Sequence, residues 1–325
     1  MGDGLKYVLI TPARNEQAFI EGTISAGTQP GLPSYVLITP ARNEEASIEK
    51  TIQSVVSQTV KPLKWIIVSD GSTDSTDDIV RKYAAEYNWI DLLRMPERKE
   101  RHFAGKVYAF NAGYERVKTA DYNIIGNLDA DISFDKDYFS FLLSKFADNP
   151  RLGVAGTPFS EGGNHYDYRF TSVEHVSGAC QLFRRECFEE IGGYVPLKVG
   201  GIDLVAVISA RMKRWQTRTF TEKTCKHHRK MGTGMRSGLM ILYKGGHHDY
   251  LMGVNAVWQF FRSIYQMTRK PVILGGTVLF AGYISAIVTG AQPLVPKEMV
   301  SFRRREQMRR LRHFFRKSFC FKIGT

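Results

Sequence analysis

Two short acidic clusters, each directly after an apolar run, constrain the fold of this chain more than any other feature. The run 65–68 leads into Asp70, and the run 124–128 leads into Asp129 and Asp131. An apolar run of this length that ends at a turn is typical of a buried parallel strand, and ligands collect outside the carboxyl ends of such strands. We therefore expect both clusters to open onto one cleft, where the Asp-x-Asp pair holds a divalent cation that bridges to phosphate oxygens.

The composition allows a full hydrophobic core and shows an uneven distribution of charge. The chain has 325 residues, 43% of them hydrophobic, which fits one large domain or one domain with an appendage. Of the formal net charge of +13, a large share lies in residues 303–317, where eight basic residues stand against the single acid Glu306. No motif of a nucleic-acid-binding module accompanies this charge, so we expect no nucleic-acid partner. An anionic membrane surface fits better, because the basic segment follows the most apolar stretch of the chain.

Cysteine spacing and the first residues bound the cellular setting. The 4 cysteines show no C-x-x-C pair, which indicates neither a zinc site nor a disulfide framework and favours a reducing compartment. Cys180 and Cys187 stand at helical spacing and are expected to fill the core. Residues 1–6 lack the apolar run of a secretory signal, and Lys6 stands where a myristoylation motif has Ser or Thr. We expect neither export nor lipidation from this end.

A local duplication precedes the main pattern. Residues 7–24 and 35–52 are nearly the same sequence, displaced by 28 positions. Two copies do not build a repeat architecture, which needs about three or more units to bury a continuous core. The first copy ends in a turn-rich linker, whereas the second continues into strand and helix patterns at short loop lengths. We therefore predict that residues 1–34 are a partly duplicated extension and that the second copy forms the first strand.

From Tyr35 the sequence alternates between strand and helix patterns. Strands are predicted at 36–39, 65–68, 123–128, 152–155 and 217–220, and helices at 47–56, 77–87, 106–114, 136–146, 179–191 and 203–213. This order indicates an α/β domain over residues 35–245, with a doubly wound sheet flanked by helices.

Residues 246–325 have a different character. An aromatic-rich amphipathic stretch ends at Arg269 and Lys270, and residues 271–296 contain no charged residue. That length suits a membrane-associated helical segment, although its glycines and prolines argue against one straight helix. A spanning or re-entrant segment, an interfacial arrangement and a soluble core helix all remain open, because positive charge flanks both ends.

Four motifs together resemble inverting, metal-dependent members of glycosyltransferase family 2, which have the GT-A fold. They are Pro40-Ala41-Arg42-Asn43-Glu44, Asp70-Gly71-Ser72-Thr73-Asp74, Gly105-Lys106 and Asp129-Ala130-Asp131, and the resemblance covers roughly residues 35–236. It implies a GT-A mixed sheet flanked by helices and transfer of a sugar from a nucleoside diphosphate sugar, UDP- or GDP-linked.

The resemblance also implies roles for the matched residues. Asp70 would accept a hydrogen bond from the imide N–H of a base such as uracil, and Asp131, with Asp129, would ligate Mg²⁺ or Mn²⁺ between diphosphate oxygens. Arg229, in a glycine-containing segment, would pair with phosphate. The nucleotide-binding residues are therefore expected to be Pro40, Arg42, Glu44, Asp70, Lys106, Asp129 and Arg229.

The general base and the mode of transfer rest on two departures from the family pattern. The family presents an acidic pair after a Gly-Gly-Tyr turn, but here Ile202 takes the first acidic position, which leaves Asp203 as the expected base. An N-cap role for Asp203 is the alternative. In the Gln-x-x-Arg-Trp element of processive synthases, Arg211 stands in the position of Gln, so we expect an enzyme that adds a single sugar.

The expected acceptor is a lipid-linked or cell-envelope saccharide, a polysaccharide or a polyprenyl phosphate, met at the cytoplasmic face of the cell membrane, where the tail contacts anionic lipids. Two other functions stay open. One is a catalytically inactive membrane-bound scaffold, and the other is a sugar nucleotidyltransferase, which would need a Gly-rich basic loop after the first strand. A nicotinamide dehydrogenase is disfavoured because no G-x-G-x-x-G motif follows that strand.

Overall fold

The structure is a computed structural model that describes residues 31–98, 102–161, 172–228 and 238–320, without the side chains of 317–320. The strands are β1 (Tyr35–Ala41), β2 (Lys64–Asp70), β3 (Ile90–Met95), β4 (Ile124–Leu128), β5 (Ile132–Ser133), β6 (Leu152–Gly156), β7 (Phe159–Ser160), β8 (Cys180–Arg184), β9 (Gln216–Thr219) and β10 (Cys225–His227). The helices are α1 (Ile48–Val56), α2 (Thr76–Glu86), α3 (Ala104–Val117), α4 (Tyr138–Asp148), α5 (Arg185–Glu190), α6 (Ile202–Met212), α7 (Gly238–Leu251), α8 (Ala256–Met267), α9 (Leu274–Val288) and α10 (Lys297–Cys320).

The main sheet has seven strands in the order β3-β2-β1-β4-β8-β6-β9. Strands β3, β2, β1 and β4 run parallel, whereas β8 runs antiparallel to both β4 and β6. Two hydrophobic clusters cover the two faces of this sheet. A small second sheet, β5-β10-β7, lies beyond the end of β4. The predicted mixed α/β sheet flanked by helices is therefore confirmed.

The second copy of the duplicated sequence forms β1, between β2 and β4. Val36, Leu37 and Ile38 are fully buried, with their side chains divided between the two core clusters. This near-continuous apolar run is what a parallel strand covered on both faces requires. The first copy lies outside the described residues.

One predicted element was wrong. Residues 180–184, assigned to a helix from Ala179, form the strand β8, and the helix α5 begins only at Arg185. Leu182 and Phe183 enter different core clusters, as the two-residue period of a strand requires. Pairing with β4 and β6 supplies the backbone hydrogen bonds, so tertiary context overrides the local helical pattern. Cys180 and Cys187 are both buried, as expected.

The last four helices, α7 to α10, form what we call the helical lobe (residues 238–320). Its first three helices pack backbone to backbone through glycines. A Cβ atom on Gly246 would lie 1.8 Å from the Leu279 carbonyl oxygen, and one on Gly282 would lie 1.9 Å from that of Tyr243. Within the described ranges, no helix is both long enough and apolar enough to cross a membrane.

Helix α10 fastens the helical lobe to α6. Arg211 of α6 donates two hydrogen bonds to Glu306, from Nε to Oε1 at 2.9 Å and from Nη2 to Oε2 at 3.0 Å. Both side chains are nearly buried, at 12% and 9% exposure. A small apolar cluster extends the contact, and it comprises Val205, Ile208, Met252, Val295 and Met299. Helix α6 also carries Asp203. The helix that contacts the lobe is therefore the helix that carries the expected general base.

We predict that Glu306→Met lowers the free energy of unfolding by about 3 kcal/mol, because it leaves the Arg211 guanidinium without its buried partner. Urea denaturation measures this change. Glu298→Met, which removes an exposed acid from the same helix, is the matched control and should change stability by less than about 0.5 kcal/mol. Adding Arg211→Met to Glu306→Met should cost less than the sum of the single changes, and strict additivity would contradict the coupling.

A second prediction concerns His175, which precedes β8. Burial lowers the pKa of His175; the Asp203 carboxylate opposes this shift, whereas Arg211, Arg303 and Arg310 reinforce it. In the unfolded chain His175 is protonated near pH 6.5, whereas in the folded chain it stays neutral to a lower pH. The free energy of unfolding therefore falls as the pH drops below about 6.5. The melting temperature should fall further between pH 7.5 and 5.5 in the wild type than in His175→Gln. Equal falls would show that His175 is not the titrating group.

Candidate functional site

The carboxyl ends of the parallel strands β2, β1 and β4 meet at one edge of the sheet, and a cavity of about 220 Å³ lies there. Three of the predicted residues, Lys106, Asp129 and Asp203, line this cavity together with His227. The remaining lining residues are Phe103, Val107, Phe110, Asn127, Phe159, Ser177, Gly178, Ala179, Tyr194, Gly201 and Ile202. The cavity therefore combines apolar walls with a small number of convergent polar groups, which is typical of a ligand site.

The peptide groups of Gly178 link the two sides of this cavity. The Gly178 N–H donates to Asp203 Oδ2 at 3.1 Å, and the Gly178 carbonyl oxygen accepts from Asn127 Nδ2 at 2.7 Å and from Lys106 Nζ at 3.3 Å. Lys106 also donates to the Asp129 carboxylate. A Cβ atom on Gly178 would lie 3.1 Å from that of Asp203, so a side chain there would crowd the expected base. The expected base and the expected nucleotide-binding lysine are thus held in one hydrogen-bonded array.

Asp131 lies beside the cavity and faces an imidazole. Its Oδ1 atom is 3.5 Å from His227 Nε2, and its backbone carbonyl accepts from the His228 N–H at 2.8 Å. The pairing of β10 with β5, which puts His227 opposite Ile132, produces this approach. Asp131 is buried, with 8% of its surface exposed. Desolvation lowers the pKa of the neighbouring His228, and nearby Lys50, Lys226 and His227 add to that shift.

Asp70 ends β2 and is held by an arginine. Arg98 Nε donates to Asp70 Oδ1 at 2.9 Å, and Arg98 Nη2 donates to Oδ2. Arg42 Nη1 approaches the same carboxylate at 3.9 Å, and Arg42 Nη2 donates to the Arg98 carbonyl oxygen at 2.6 Å. A Cβ atom on Gly105 would lie 2.5 Å from Arg98 Nη2, so this cluster adjoins the first turn of α3, which carries Lys106. The Asp70 carboxylate is therefore bound by guanidinium groups at the place where we expect the nucleotide base to bind.

The loop after β1 is tied to the loop after β2. The Glu44 N–H donates to Thr76 Oγ1 at 2.8 Å, and the Thr73 N–H donates to Asn43 Oδ1 at 2.8 Å. Pro40 stands opposite Val68 in the parallel register and is partly exposed. The predicted loop residues thus border the Asp70 cluster and do not line the cavity. Arg229 lies outside the described residues.

The Arg211-to-Trp215 segment contributes no residue to the lining of the cavity. Arg211 binds Glu306, and Trp215 Nε1 donates to Glu190 Oε2 at 2.7 Å. A Cβ atom on Gly153 would lie 2.6 Å from that of Trp215, so the Trp215 side chain packs against β6. The change from Gln to Arg at position 211 therefore serves the contact between α6 and α10.

Sequence reasoning missed Arg98, Asn127 and Gly178. Asn127 lies within the apolar run of β4, where one polar residue two positions before Asp129 was the available signal, because alternate strand residues share a face. Arg98 and Gly178 lie in loops and carry no motif. Their contacts depend on long-range packing.

Comparison with known proteins supports the expected family. Residues 36–192 match the family model described as Glycosyl transferase family 2. A poly-beta-1,6-N-acetyl-D-glucosamine synthase from Staphylococcus epidermidis is 26% identical over 161 residues, which cover 43% of this chain and 36% of that protein. The match thus spans little more than a third of the relative's length.

Two solved structures share the fold. A mannosyltransferase from Pyrobaculum calidifontis, solved with GDP-Man and Mn²⁺, superposes with a TM-score of 0.52 at 18% identity over 88% of this chain and 87% of that one. TarS from S. aureus, residues 1–349 with UDP-GlcNAc, gives 0.50 at 14% identity over 83% and 78% of the two chains. At this identity the likeness shows the fold alone. Residues 36–192 therefore form a glycosyltransferase family 2 domain, and the described chain has a GT-A-like fold.

Proposed function

We propose that this protein is a metal-dependent, inverting glycosyltransferase that moves a sugar from a nucleoside diphosphate sugar to a saccharide or polyprenyl-phosphate acceptor. The observation that carries the proposal is the convergence of Lys106, Asp129 and Asp203 on one cavity at the strand ends. The array around Gly178 holds these side chains in place. A site with a lysine ammonium group, two carboxylates and apolar walls suits a charged donor and a hydroxyl acceptor.

The donor is a UDP- or GDP-linked sugar in this proposal. The two solved structures of the same fold contain UDP-GlcNAc and GDP-Man, and the staphylococcal relative is named for a polymer of N-acetylglucosamine. Asp70 and the loop of Pro40, Arg42 and Glu44 border the position expected for the nucleotide base. The ammonium group of Lys106 carries the positive charge that would pair with a phosphate. Arg229 is assigned to the phosphates by its sequence position.

A divalent cation, Mg²⁺ or Mn²⁺, fits the residues beside the cavity. The Asp131 carboxylate and the His227 imidazole, 3.5 Å apart, are ligand types that Mn²⁺ accepts, and Asp129 supplies a second carboxylate nearby. Among the described residues no group of three or more His, Cys, Asp or Glu is placed to enclose a metal ion. Such a site suits a cation that takes its other ligands from substrate phosphates. When bound, the cation would neutralise charge on the departing diphosphate.

Asp203 is assigned as the general base. It stands in the first turn of α6 and lines the cavity, where its carboxylate would take the proton of the acceptor hydroxyl as that hydroxyl attacks the anomeric carbon. The Gly178 N–H fixes the orientation of this carboxylate. The commitment of Arg211 to Glu306 supports addition of a single sugar, and the basic α10 supports action at the cytoplasmic face of a membrane with anionic lipids.

Nucleotide binding tests the donor site. We expect isothermal titration to show Mn²⁺-dependent binding of one of UDP, GDP, dTDP and CDP, and we expect Asp131→Asn to weaken it at least about tenfold, because a metal ligand is lost. Asp135→Asn, which changes an exposed carboxylate four residues later, is the matched control and should bind like the wild type. If no nucleotide binds, or if Asp131→Asn binds normally, the inactive-scaffold alternative takes precedence.

Transfer kinetics test the base. Asp203→Asn keeps an acceptor for the Gly178 N–H but cannot take a proton, so kcat should fall about 10²- to 10⁴-fold while the nucleotide Kd stays within about twofold. Release of nucleoside diphosphate in the presence of acceptor measures the rate. A variant that retains the wild-type rate would leave Asp203 with only its structural bond to Gly178.

A further inference from the structure

Helix α8 of the helical lobe has its polarity inverted relative to a helix on a water-soluble surface. Its two buried residues are polar: Gln259 has no exposed surface and Ser263 has 2%. Large apolar side chains occupy the outward positions, with Val257, Phe260 and Ile264 each more than 40% exposed. A surface helix in water normally shows the opposite arrangement, with its apolar stripe facing the core.

The buried polar groups of α8 lack hydrogen-bond partners within the described part of the chain. Both Gln259 side-chain atoms, Nε2 and Oε1, and the Ser263 hydroxyl are enclosed without one. Burying polar groups without hydrogen-bond partners costs free energy. Burial of apolar side chains on the same face of α8 does not offset this cost. Burial of Phe260 and Ile264 in an apolar environment outside the protein would supply the missing driving force.

Helix α9 buries three glycines and an alanine together with Leu279 and Tyr283, and it also leaves large apolar side chains outside. Its face against α7 and α8 includes Gly276 and Gly282, and a Cβ atom on Gly276 would lie 2.1 Å from the Ser263 carbonyl oxygen. Its outward face carries Ile284, Ile287 and Val288, the last 79% exposed. Backbone contact through small residues, with large apolar residues outside, is the packing that helices adopt in lipid.

The exposed apolar surface is concentrated in this lobe. Among the described residues, 20 large hydrophobic side chains are exposed, and 15 of them lie between Met240 and Phe315. Three of them are consecutive: Val272 and Ile273 lie in the turn between α8 and α9, and Leu274 is the first residue of α9. Ile273 has a φ of +62°, an uncommon conformation for a β-branched residue. The turn thus holds a run of apolar side chains outward at the tip of the hairpin.

Positive charge adjoins this apolar surface. Residues 238–320 contain 13 Lys and Arg against 3 Asp and Glu. Arg305, Arg309, Arg312 and Arg316 are exposed and fall at spacings of four, three and four, which puts them on one face of α10. The rings of Phe261 on α8 and Phe315 on α10 have centroids 5.3 Å apart, so the end of this stripe lies beside α8.

We propose that the outward faces of α8, α9 and the turn between them, which we call the lipid face, insert into the surface of a bilayer that contains anionic lipids. The inverted polarity calls for an apolar partner, and the arginine stripe selects negatively charged head groups over a second copy of this equally basic chain. The proposal deepens the membrane contact in the proposed function, but it does not depend on catalysis. The lipid face would hold the helix pair at the interface while α10 fastens α6, and with it the cavity, to the same surface.

The test uses the full chain and a natural probe, since Trp258 lies on α8 next to the exposed Val257. Flotation is measured with two kinds of vesicle. One contains phosphatidylcholine alone, and the other contains about 30% phosphatidylglycerol, which makes its surface anionic. Quenching of tryptophan fluorescence by brominated acyl chains then reports insertion. We expect binding to the anionic vesicles, with quenching that Trp258→Phe removes.

Two variants separate the apolar and charged contributions. The pair Phe260→Glu and Ile264→Glu should lower partitioning at least about tenfold, because charge is placed at the acyl boundary. Val195→Glu, an equally exposed apolar residue outside the helical lobe, is the matched control and should bind like the wild type. Arg309→Gln and Arg312→Gln should each lower partitioning into anionic vesicles about fivefold. Unchanged Mn²⁺-dependent nucleotide binding and melting temperature would show that the variants fold.

Three outcomes would overturn the proposal. They are absence of binding to either vesicle, binding that salt abolishes without any quenching of Trp258, and a stable dimer in vesicle-free solution that the Phe260→Glu and Ile264→Glu pair dissociates. Because vesicle binding and nucleotide binding are measured separately, loss of one without the other identifies which proposal has failed.

Discussion

The parallel pairing of β1 with β2 on one side and β4 on the other determines where the candidate site lies. It brings the residues after three strands to one edge, so that Asp70 and the Asp129–Asp131 cluster face the same side of the sheet although more than fifty residues separate them. The antiparallel insertion of β8 next to β4 then delivers the Gly178 peptide to the end of the same strand. Without that insertion, Lys106 and Asp203 would have no common partner.

Helix α6 connects chemistry to attachment. Its first turn carries Asp203 at the cavity, and Arg211, near its other end, binds Glu306 of α10. Bidentate arginine–carboxylate pairs fix orientation as well as distance. The position of α10 is therefore transmitted to α6 as a rigid-body constraint, and the helical lobe cannot rotate freely relative to the cavity.

Much of the fold follows from the sequence, because buried parallel strands are apolar runs that a pattern detects. Asp70 and Asp131 are predicted as site residues for the same reason, since each follows such a run. The strand Cys180–Arg184 was missed because its pairing partners, β4 and β6, lie far away in the chain. The bond from Arg98 to Asp70 was missed because loop residues carry no periodicity. The helical lobe is the clearest case: composition indicated an apolar segment, but only packing shows that Gln259 faces inward while Phe260 faces outward.

The hydrogen bonds from Arg98 to Asp70 have a consequence for the proposed role of Asp70 in binding a nucleotide base. Each carboxylate oxygen already receives a hydrogen bond from one guanidinium, so a base that engaged Asp70 would either share its remaining lone pairs with Arg98 or displace Arg98. A ring that offers an N–H donor could share or replace the bonds from Arg98, whereas a ring that presents only acceptors would gain no hydrogen bond from the carboxylate. Selectivity would then depend on Arg98 as well as on the fit of the base, and a displaced guanidinium would lie beside the first turn of α3, where a phosphate could bind it.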